Sequence, residues 1–464
     1  MGYHWDMKPS LTKILATIGP SSQDPATLRQ LFESGVNACR LNFSHGTHEE
    51  HAQRIALIRK IAKEIGRPIS IVMDLCGPKV RTDTQTYQVQ KGELWTLVPG
   101  TGDASLKRIG ISHPSLHTLV PVHARILFDD GKFAVQVKQV LPDGLLCEFF
   151  DSGTLKPRKA VNTPGIDNEL SVLSEKDVAD LSFGISQKVD WVAVSFVRSA
   201  WDMQQVRNYL NHHDWYAGLI AKIETPLAIG NLEEIIRESD GVMVARGDLG
   251  IECPMEEIPV HQRHILELAH QYGRLSIVAT QMLESMIENP RPTRAEITDI
   301  AHAVSEGTHV VMLSGETASG KYPVEAVQVM KRTLERAEAD RKSVIPERPK
   351  GIDPSDEILW AAVKIQARTN AAAIVVLCNK PQEVSVVASL ESRAPIIAVC
   401  ASEEMARRSN LYYGVSPILV ESQSRISETI QSTLTEIELS GLMLPHQQYV
   451  FVYDDHCALK LVQS

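Results

Sequence analysis

Two short apolar runs end in residues suited to holding a metal ion and a phosphate. Within residues 218–250, GLIAKIETPLAIGNLEEIIRESDGVMVARGDLG, the first run closes on Lys222, Ile223 and Glu224 and the second on Arg246, Gly247 and Asp248. Side chains alternate across a strand, so Lys222 and Glu224 share one face. Between the runs, residues 231–239 carry Leu232, Ile235 and Ile236 at helical spacing, with charges on the other side. A parallel strand pair joined by such a crossover brings both strand ends to one rim. Glu224 and Asp248 then meet over one hard cation with Lys222 beside them. The alternative is a buried strand pair whose polar ends only cap a sheet. Ionisable groups at buried strand ends favour a functional task.

The same β-rich pattern with small or polar endings recurs along the chain. It appears as KILATIG (13–19), CRLNFSHG (39–46), ISIVMDL (69–75), WVAVSF (191–196), LIAKIE (219–224), VMVARGD (242–248), LSIVATQ (275–281) and VVMLSGE (310–316). Helical spacing follows most of these runs, as at 48–65, 256–272 and 295–306. Eight such units predict an α/β fold, a (β/α)8 TIM barrel with its active site at the C-terminal rim of the strands.

One interval is out of step. Strand ends mostly follow each other by about 25 to 35 residues, but the gap from Asp74 to Ser195 is far larger. There ELWTLVPG, ARILFDDG, KFAVQVKQVLPDG and LLCEFFDSG read as short alternating strands between turns. This predicts a small β-barrel over 79–167, inserted after strand three as a lid that excludes water on closing. The TIM barrel then takes 1–78 and 168–341. A charged helix at 327–339 leads into the linker DRKSVIPERPKGIDPSD. Residues 342–464 follow as an open α/β domain, with helices expected at 357–369, 383–390, 403–411 and 426–439. Its strands are expected at 372–377, 395–400 and 416–420, with a final YVFVY.

The 464 residues are 43% hydrophobic and 22% charged, ordinary for a soluble globular protein. A net charge of -10 argues against nucleic-acid or anionic-membrane partners, though not against a local basic pocket. Seven cysteines are scattered without a C-x-x-C, which points to a reducing cytoplasm and to neither a zinc site nor a disulfide framework. The start, MGYHWDMKPS, has no h-region, and Asp6 stands where myristoylation requires Ser or Thr. No apolar run reaches the ~18 residues of a transmembrane span.

TKILATIGPSS, RLNFSHG, MDLCGPKVRT, LSEKD, AKIET, MVARGDLGIE, ATQMLESM, PRPTRAE and MLSGETASGKYP stand in one order over nearly the whole chain. In this the chain resembles the pyruvate kinase family. The resemblance implies the same three-part architecture and a phosphotransferase acting last in glycolysis. It would move a phosphoryl group from phosphoenolpyruvate to ADP, giving pyruvate and ATP, by positioning and charge neutralisation. It further implies Glu224 and Asp248 as ligands of Mg2+ or Mn2+. Lys222 would neutralise the moving phosphoryl and the developing enolate. Arg40 would clamp phosphate with its guanidinium fork, and Arg40, Asn42 and Ser44 alternate to one side of strand two. Gly247 and Asp248 would offer backbone N–H groups to the substrate carboxylate from a glycine-containing turn. Thr280 would stand near the enolate face and work with Ser314 through water, unless its hydroxyl bonds its own backbone. Arg81 and Lys159 would contact nucleotide phosphates, and Asp129 would reach the site from the closed lid. A homotetramer is implied as well.

The chain departs from the family at three places. Many members read Asp-Thr-Lys-Gly-Pro-Glu and bind K+; this chain reads Asp74-Leu75-Cys76-Gly77-Pro78-Lys79. The K+ ligands match Asn42, Ser44, Asp74 and the Leu75 carbonyl, but Lys79 brings a cation of its own, so K+ is expected not to be required. Cys76 stands where Lys or Gln is usual, an inert thiol or a redox-sensitive one beside Lys79. After the strand at 372–377, the text Cys378-Asn379-Lys380-Pro381-Gln382-Glu383 lacks the Ser/Thr/Gly loop that cradles a sugar phosphate in activated members. Activation by fructose 1,6-bisphosphate is therefore not expected. Two other readings remain open at this level: another Mg-dependent barrel enzyme of pyruvate or phosphoenolpyruvate, and an inactive binding homologue.

Overall fold

The computed structural model describes residues 10–340, 357–378, 381–420, 448–453 and 456–461. The linker, the helix expected at 426–439, and Asn379 and Lys380 lie outside these residues.

Eight parallel strands close into a barrel. They are β1 (Lys13–Thr17), β2 (Ala38–Asn42), β3 (Ser70–Asp74), β4 (Trp191–Val194), β5 (Gly218–Ile223), β6 (Gly241–Ala245), β7 (Leu275–Ala279) and β8 (Val310–Leu313). Neighbours run in sequence order, with β1 pairing β8 to close the circle. Strand alternation sorts the side chains into two cores. Ile14, Cys39, Leu41, Ile71, Met73, Leu219, Ala221 and Ile223 pack outward against the surrounding helices. Leu15, Ala38, Val72, Trp191, Ala193, Ile220, Met243 and Ile277 point inward. The inward parity, carried upward two residues at a time, delivers Thr17, Arg40, Asp74, Ser195 and Lys222 to the top of the barrel. Several helices start at capping boxes written in the chain, Thr47 with Glu50, Ser174 with Asp177 and Thr293 with Glu296. Two of the motifs that carry the family resemblance, LSEKD and PRPTRAE, thus include helix starts.

Between β3 and β4 lie strands with their own aromatic core, including Tyr87, Trp95, Phe128, Phe133 and Phe149. Six of them form one sheet, whose edges are Arg108–Ile111 and Val161–Asn162. Arg81 bridges Ala160 and Thr82 bridges Ile111, so one short segment joins both edges into a small barrel.

The C-terminal sheet runs β11 (Val415–Leu419), β10 (Ile396–Cys400), β9 (Ala373–Cys378), β12 (Gln448–Tyr453) and β13 (His456–Leu461). All pairs are parallel except the terminal hairpin of β12 and β13. That last strand is an addition to the sequence reading, which ended on YVFVY. Pro381 opens the helix Pro381–Ser389. No helix among the described residues is long and apolar enough to cross a membrane.

The C-terminal unit seals the base of the barrel. Trp191 fills the bottom layer, and any side chain at Gly218 would run into its ring. Tyr412 meets Trp191 edge-on at 5.7 Å and the Arg408 guanidinium lies 6.0 Å from the ring centroid. Arg407 Nε donates to Asp190 at 2.9 Å, and Asn410 donates to the carbonyls of Asn37 and Pro68. Lys13, 1% exposed, donates to the Val415 carbonyl at 2.8 Å. Burial lowers its pKa to about 7 from 10.5; Glu338 pulls it upward and Arg67 pushes it further down.

Lys13 makes this seam pH-dependent in a defined sense. Between its folded and unfolded pKa values, the unfolded chain holds a proton there that the folded chain does not. Raising the pH from about 7 towards 10 therefore favours the folded state, by at most about 1.4 kcal/mol per pH unit. Lys13→Met has no such titration. Urea midpoints should favour the Met variant most at neutral pH, and its advantage should shrink as the pH rises. A gap that stays constant would assign the titration elsewhere.

Candidate active site

Lys222 sits in the top inward layer of β5 with only 8% of its surface exposed. Its ammonium has three protein acceptors: Ser195 Oγ at 2.7 Å, Glu224 Oε1 at 2.8 Å and Asp74 Oδ1 at 3.2 Å. The other Asp74 oxygen accepts from Arg40 Nε at 2.6 Å, and Arg40 also donates to Thr17 Oγ1 at 3.1 Å. One buried carboxylate thus joins the two cations. Burial alone would raise Asp74, but Lys222 and Arg40 outweigh it and hold the carboxyl below its ordinary range. Burial would lower Lys222, and the carboxylates of Asp74, Glu224 and Asp248 reverse that, so it stays protonated.

Glu224 is 1% exposed and its Oε2 accepts from the Phe196 N–H at 2.8 Å. Burial raises its pKa, Lys222 opposes this, and the charge of Asp248 raises it further. Two carboxylates repelling each other in a dry site suit a cation between them. Among the described residues, no cluster of three or more Asp, Glu, His or Cys forms a cage. A pair of carboxylates matches a hard divalent ion that completes its shell with water and substrate oxygens. The donor set therefore fits Mg2+ or Mn2+.

Gly247 and Asp248 lie in the first turn of a short helix, Arg246–Glu252, rather than in an open turn. The Gly247 N–H donates to Thr280 Oγ1 at 2.7 Å, while that hydroxyl donates to the Ala279 carbonyl at 2.6 Å. The backbone-bonded alternative for Thr280 is the one observed here. Thr280 has φ of 67° and Gln281 of 55°, a left-handed conformation that a β-branched residue seldom adopts. Arg246 holds it there. Its guanidinium reaches the Thr280 carbonyl at 2.6 Å and pairs with both oxygens of Asp299. Among the described residues Ser314 Oγ is buried without a partner, next to a main-chain N–H that Glu316 accepts at 2.7 Å.

Three of the four oxygens matched to a monovalent cation have protein donors. Asn42 Oδ1 accepts from the Ser44 N–H at 3.0 Å, Asp74 takes Arg40 and Lys222, and the Leu75 carbonyl accepts from Ser195 Oγ at 2.8 Å. Ser44 lies past the end of β2, so it does not continue the strand alternation of Arg40 and Asn42. Lys79 Nζ stands 5.4 Å from the Phe196 ring centroid, close enough to Glu224 for its charge to oppose, slightly, the rise that burial causes there. Cys76 is half-buried beside this hinge.

The lid residues are brought together with each other rather than with Lys222. Lys159 pairs with Asp129 at 2.6 Å, and Arg81 donates to the Arg158 carbonyl at 3.0 Å in the adjoining turn. A pocket between lid and rim is lined by Lys79, Asp130, Phe196, Arg198, Asp248 and Glu252. Asn162 of the lid donates to Glu252 at 2.9 Å across it. Sequence reasoning missed Ser195, Asn162 and Glu252. The parity of Trp191, Ala193 and Ser195 was the available signal for the first. Nothing in the chain links Asn162 to a residue so distant.

A closed parallel barrel with a lysine, an arginine and carboxylates clustered at its C-terminal rim, beneath an inserted lid, defines an enzyme of phosphorylated or carboxylated small molecules. The chain belongs to the pyruvate kinase family and is a phosphotransferase. A profile described as "Pyruvate kinase, barrel domain" matches residues 10–327, and "Pyruvate kinase, alpha/beta domain" matches 356–458. The chain is 40% identical over 435 residues to pyruvate kinase 2 of Synechocystis sp., covering 92% of this chain and 73% of that one. It is 41% identical over 414 residues to the pyruvate kinase of Geobacillus stearothermophilus, covering 87% and 70%. The crystal structure of a pyruvate kinase from Cryptosporidium parvum superposes with a TM-score of 0.92 at 31% identity, covering 97% of this chain and 96% of that one.

Asp74 should be the most sensitive residue of the cluster to substitution. Asp74→Ala leaves Arg40 and Lys222 facing each other in a buried layer. A loss of about 3 kcal/mol or more in urea unfolding is expected, the scale of breaking a buried ion pair. A change under about 1 kcal/mol, the scale of a surface pair, would show that the bridge adds little.

Proposed function

We propose that this chain transfers the phosphoryl group of phosphoenolpyruvate to ADP, with Mg2+ or Mn2+ held by Glu224 and Asp248. The products are pyruvate and ATP, the last step of glycolysis, made in the cytoplasm by a homotetramer. The observation that carries the reading is Lys222, buried and charged beside Arg40 at the barrel rim.

The bond from phosphorus to the enol oxygen breaks as an oxygen of the ADP β-phosphate bonds to phosphorus. Arg40 and Lys222 face the charge that moves between these oxygens. The divalent ion supplies Lewis-acid stabilisation of the substrate oxygens. Lys222 is saturated by three acceptors, so it must release one N–H to meet the substrate; Glu224, which would also hold the divalent ion, is the partner it can release. The Gly247 N–H must likewise leave Thr280 to meet a substrate carboxylate. Thr280 then has a lone pair for a water, which the unpartnered Ser314 hydroxyl also addresses. That water relays a solvent proton to the enolate carbon, taking one up as it gives one. Lid closure lets Lys159 exchange Asp129 for nucleotide phosphate, with Arg81 beside it.

The test is ATP formation from phosphoenolpyruvate and ADP. Lys222→Met should lower turnover by roughly three orders of magnitude with the fold intact. A well-folded Met variant with near-normal turnover would remove Lys222 from this role.

The reaction should proceed without K+. Three of the four matched pocket oxygens already accept from protein donors, and the Lys79 ammonium stands near Glu224. A unit charge a few ångströms away is worth about 4 kcal/mol at an effective dielectric near 20, so Lys79 offsets charge that K+ offsets elsewhere. Turnover in buffer free of sodium and potassium, at ionic strength held by a bulky organic cation, should match turnover with K+. Lys79→Glu should become K+-responsive. A wild type that is nearly inactive until K+ is added would sink the internal-cation reading.

A further inference from the structure

Ser195 ends the fourth barrel run one residue past β4, and it is 2% exposed. Its single proton goes to the Leu75 carbonyl at 2.8 Å, which leaves its lone pairs facing Lys222 Nζ at 2.7 Å. Of the three acceptors around the ammonium, Ser195 is the neutral one. Asp74 is also held by Arg40, and Glu224 is one of the two carboxylates that would hold the divalent ion.

The same serine bears on the outgoing lid hinge. Gly77 adopts φ of 69°, and a Cβ built there would stand 2.8 Å from Ser195 Cβ and 3.0 Å from the Phe196 ring. The hinge backbone therefore rests directly on Ser195. Its Gly77 N–H is fixed at 3.1 Å by Asp177, a fully buried carboxylate at the start of the helix Glu175–Gln187.

We propose that Ser195 is a positioning residue for Lys222. Its hydroxyl keeps the ammonium aimed into the barrel mouth when Glu224 is drawn off, and ties that aim to the Leu75–Gly77 hinge of the lid. The proposal rests on the role of Lys222 argued above. Losing the hydroxyl leaves charge and metal ligands in place, so substrate capture persists while the orientation needed in the transition state is lost.

The experiment compares full-length wild type, Ser195→Ala, Ser195→Cys and Lys222→Met in steady-state kinetics and thermal unfolding. The cysteine keeps the bulk against Gly77 but is a weak hydrogen-bonding group. Both serine variants should lose roughly 10- to 100-fold in kcat, the usual effect of removing a supporting partner. Their KM values for phosphoenolpyruvate and ADP should stay within about twofold, with melting temperatures near wild type. If Lys222→Met is inactive while either serine variant turns over at the wild-type rate, Ser195 does not position the lysine and the proposed function stands. If Lys222→Met keeps its turnover, both readings fall. Activity lost only in proportion to lost folded protein, or a rise in KM at unchanged kcat, would also overturn the proposal. Should Ser195→Ala fail to fold, the Ser195→Cys kinetics decide it.

Discussion

A buried carboxylate with a cation on either side sets the terms for the rest of this structure. Asp74 cannot be ionised in the barrel mouth without Arg40 and Lys222, and neither cation can remain there without a counter-charge. The three come from different strands, as does Ser195. In the barrel order these strands, β2 to β5, are consecutive neighbours. In-register parallel pairing puts Arg40 level with Val72, Asn42 level with Asp74, and Ala193 level with both Asp74 and Ile220. A one-residue slip in any of these strands would turn its polar residue outward into the shell of helices. The apolar layers below therefore do more than fill space, because they fix the register on which the charged layer depends.

The rim also holds conformations that short-range preferences disfavour. Phe196, Thr280 and Gln281 have φ of 56°, 67° and 55°. Each such residue costs of order 1–3 kcal/mol and persists only where its surroundings determine it. Here the surroundings are visible: Glu224 accepts the Phe196 N–H, and the Arg246–Asp299 pair grips the Thr280 carbonyl. Left-handed residues of the rim are thus held in place by a buried carboxylate and by an ion pair.

Much of the architecture was legible in the chain because it follows from period. Alternation put Lys222 beside Glu224, and the long interval after Asp74 marked the inserted lid. The reading weakened wherever a side chain's partner comes from elsewhere in the fold. Ser44 seemed to continue a strand that has already ended, since alternation does not announce where pairing stops. Gly247 and Asp248 read as a turn because a helix of under two turns has too few residues to display a period. Lys159 was read towards nucleotide, yet its present partner is Asp129, a pairing made by a hairpin far away in sequence. Ser195 carries no charge to mark it, and only its parity with Trp191 and Ala193 places it inward. The β13 strand lies beyond YVFVY, where the sequence reading ends.

The seam under the barrel has a consequence for how the molecule can be divided. Trp191 is covered from below by Tyr412 and Arg408, and the Lys13 ammonium donates to the Val415 carbonyl. In many barrels the floor is finished with residues that tolerate water. Here the floor is unfinished, and the following unit is its underside. A chain cut after residue 340 would open an indole, a lysine and the backbone carbonyls of Asn37 and Pro68 to solvent together. The barrel and its lid are accordingly not a transplantable cassette. Any engineered version would need a new set of polar residues at Lys13, Trp191 and Asp190, while the lid, joined through two narrow hinges above, is the piece open to exchange.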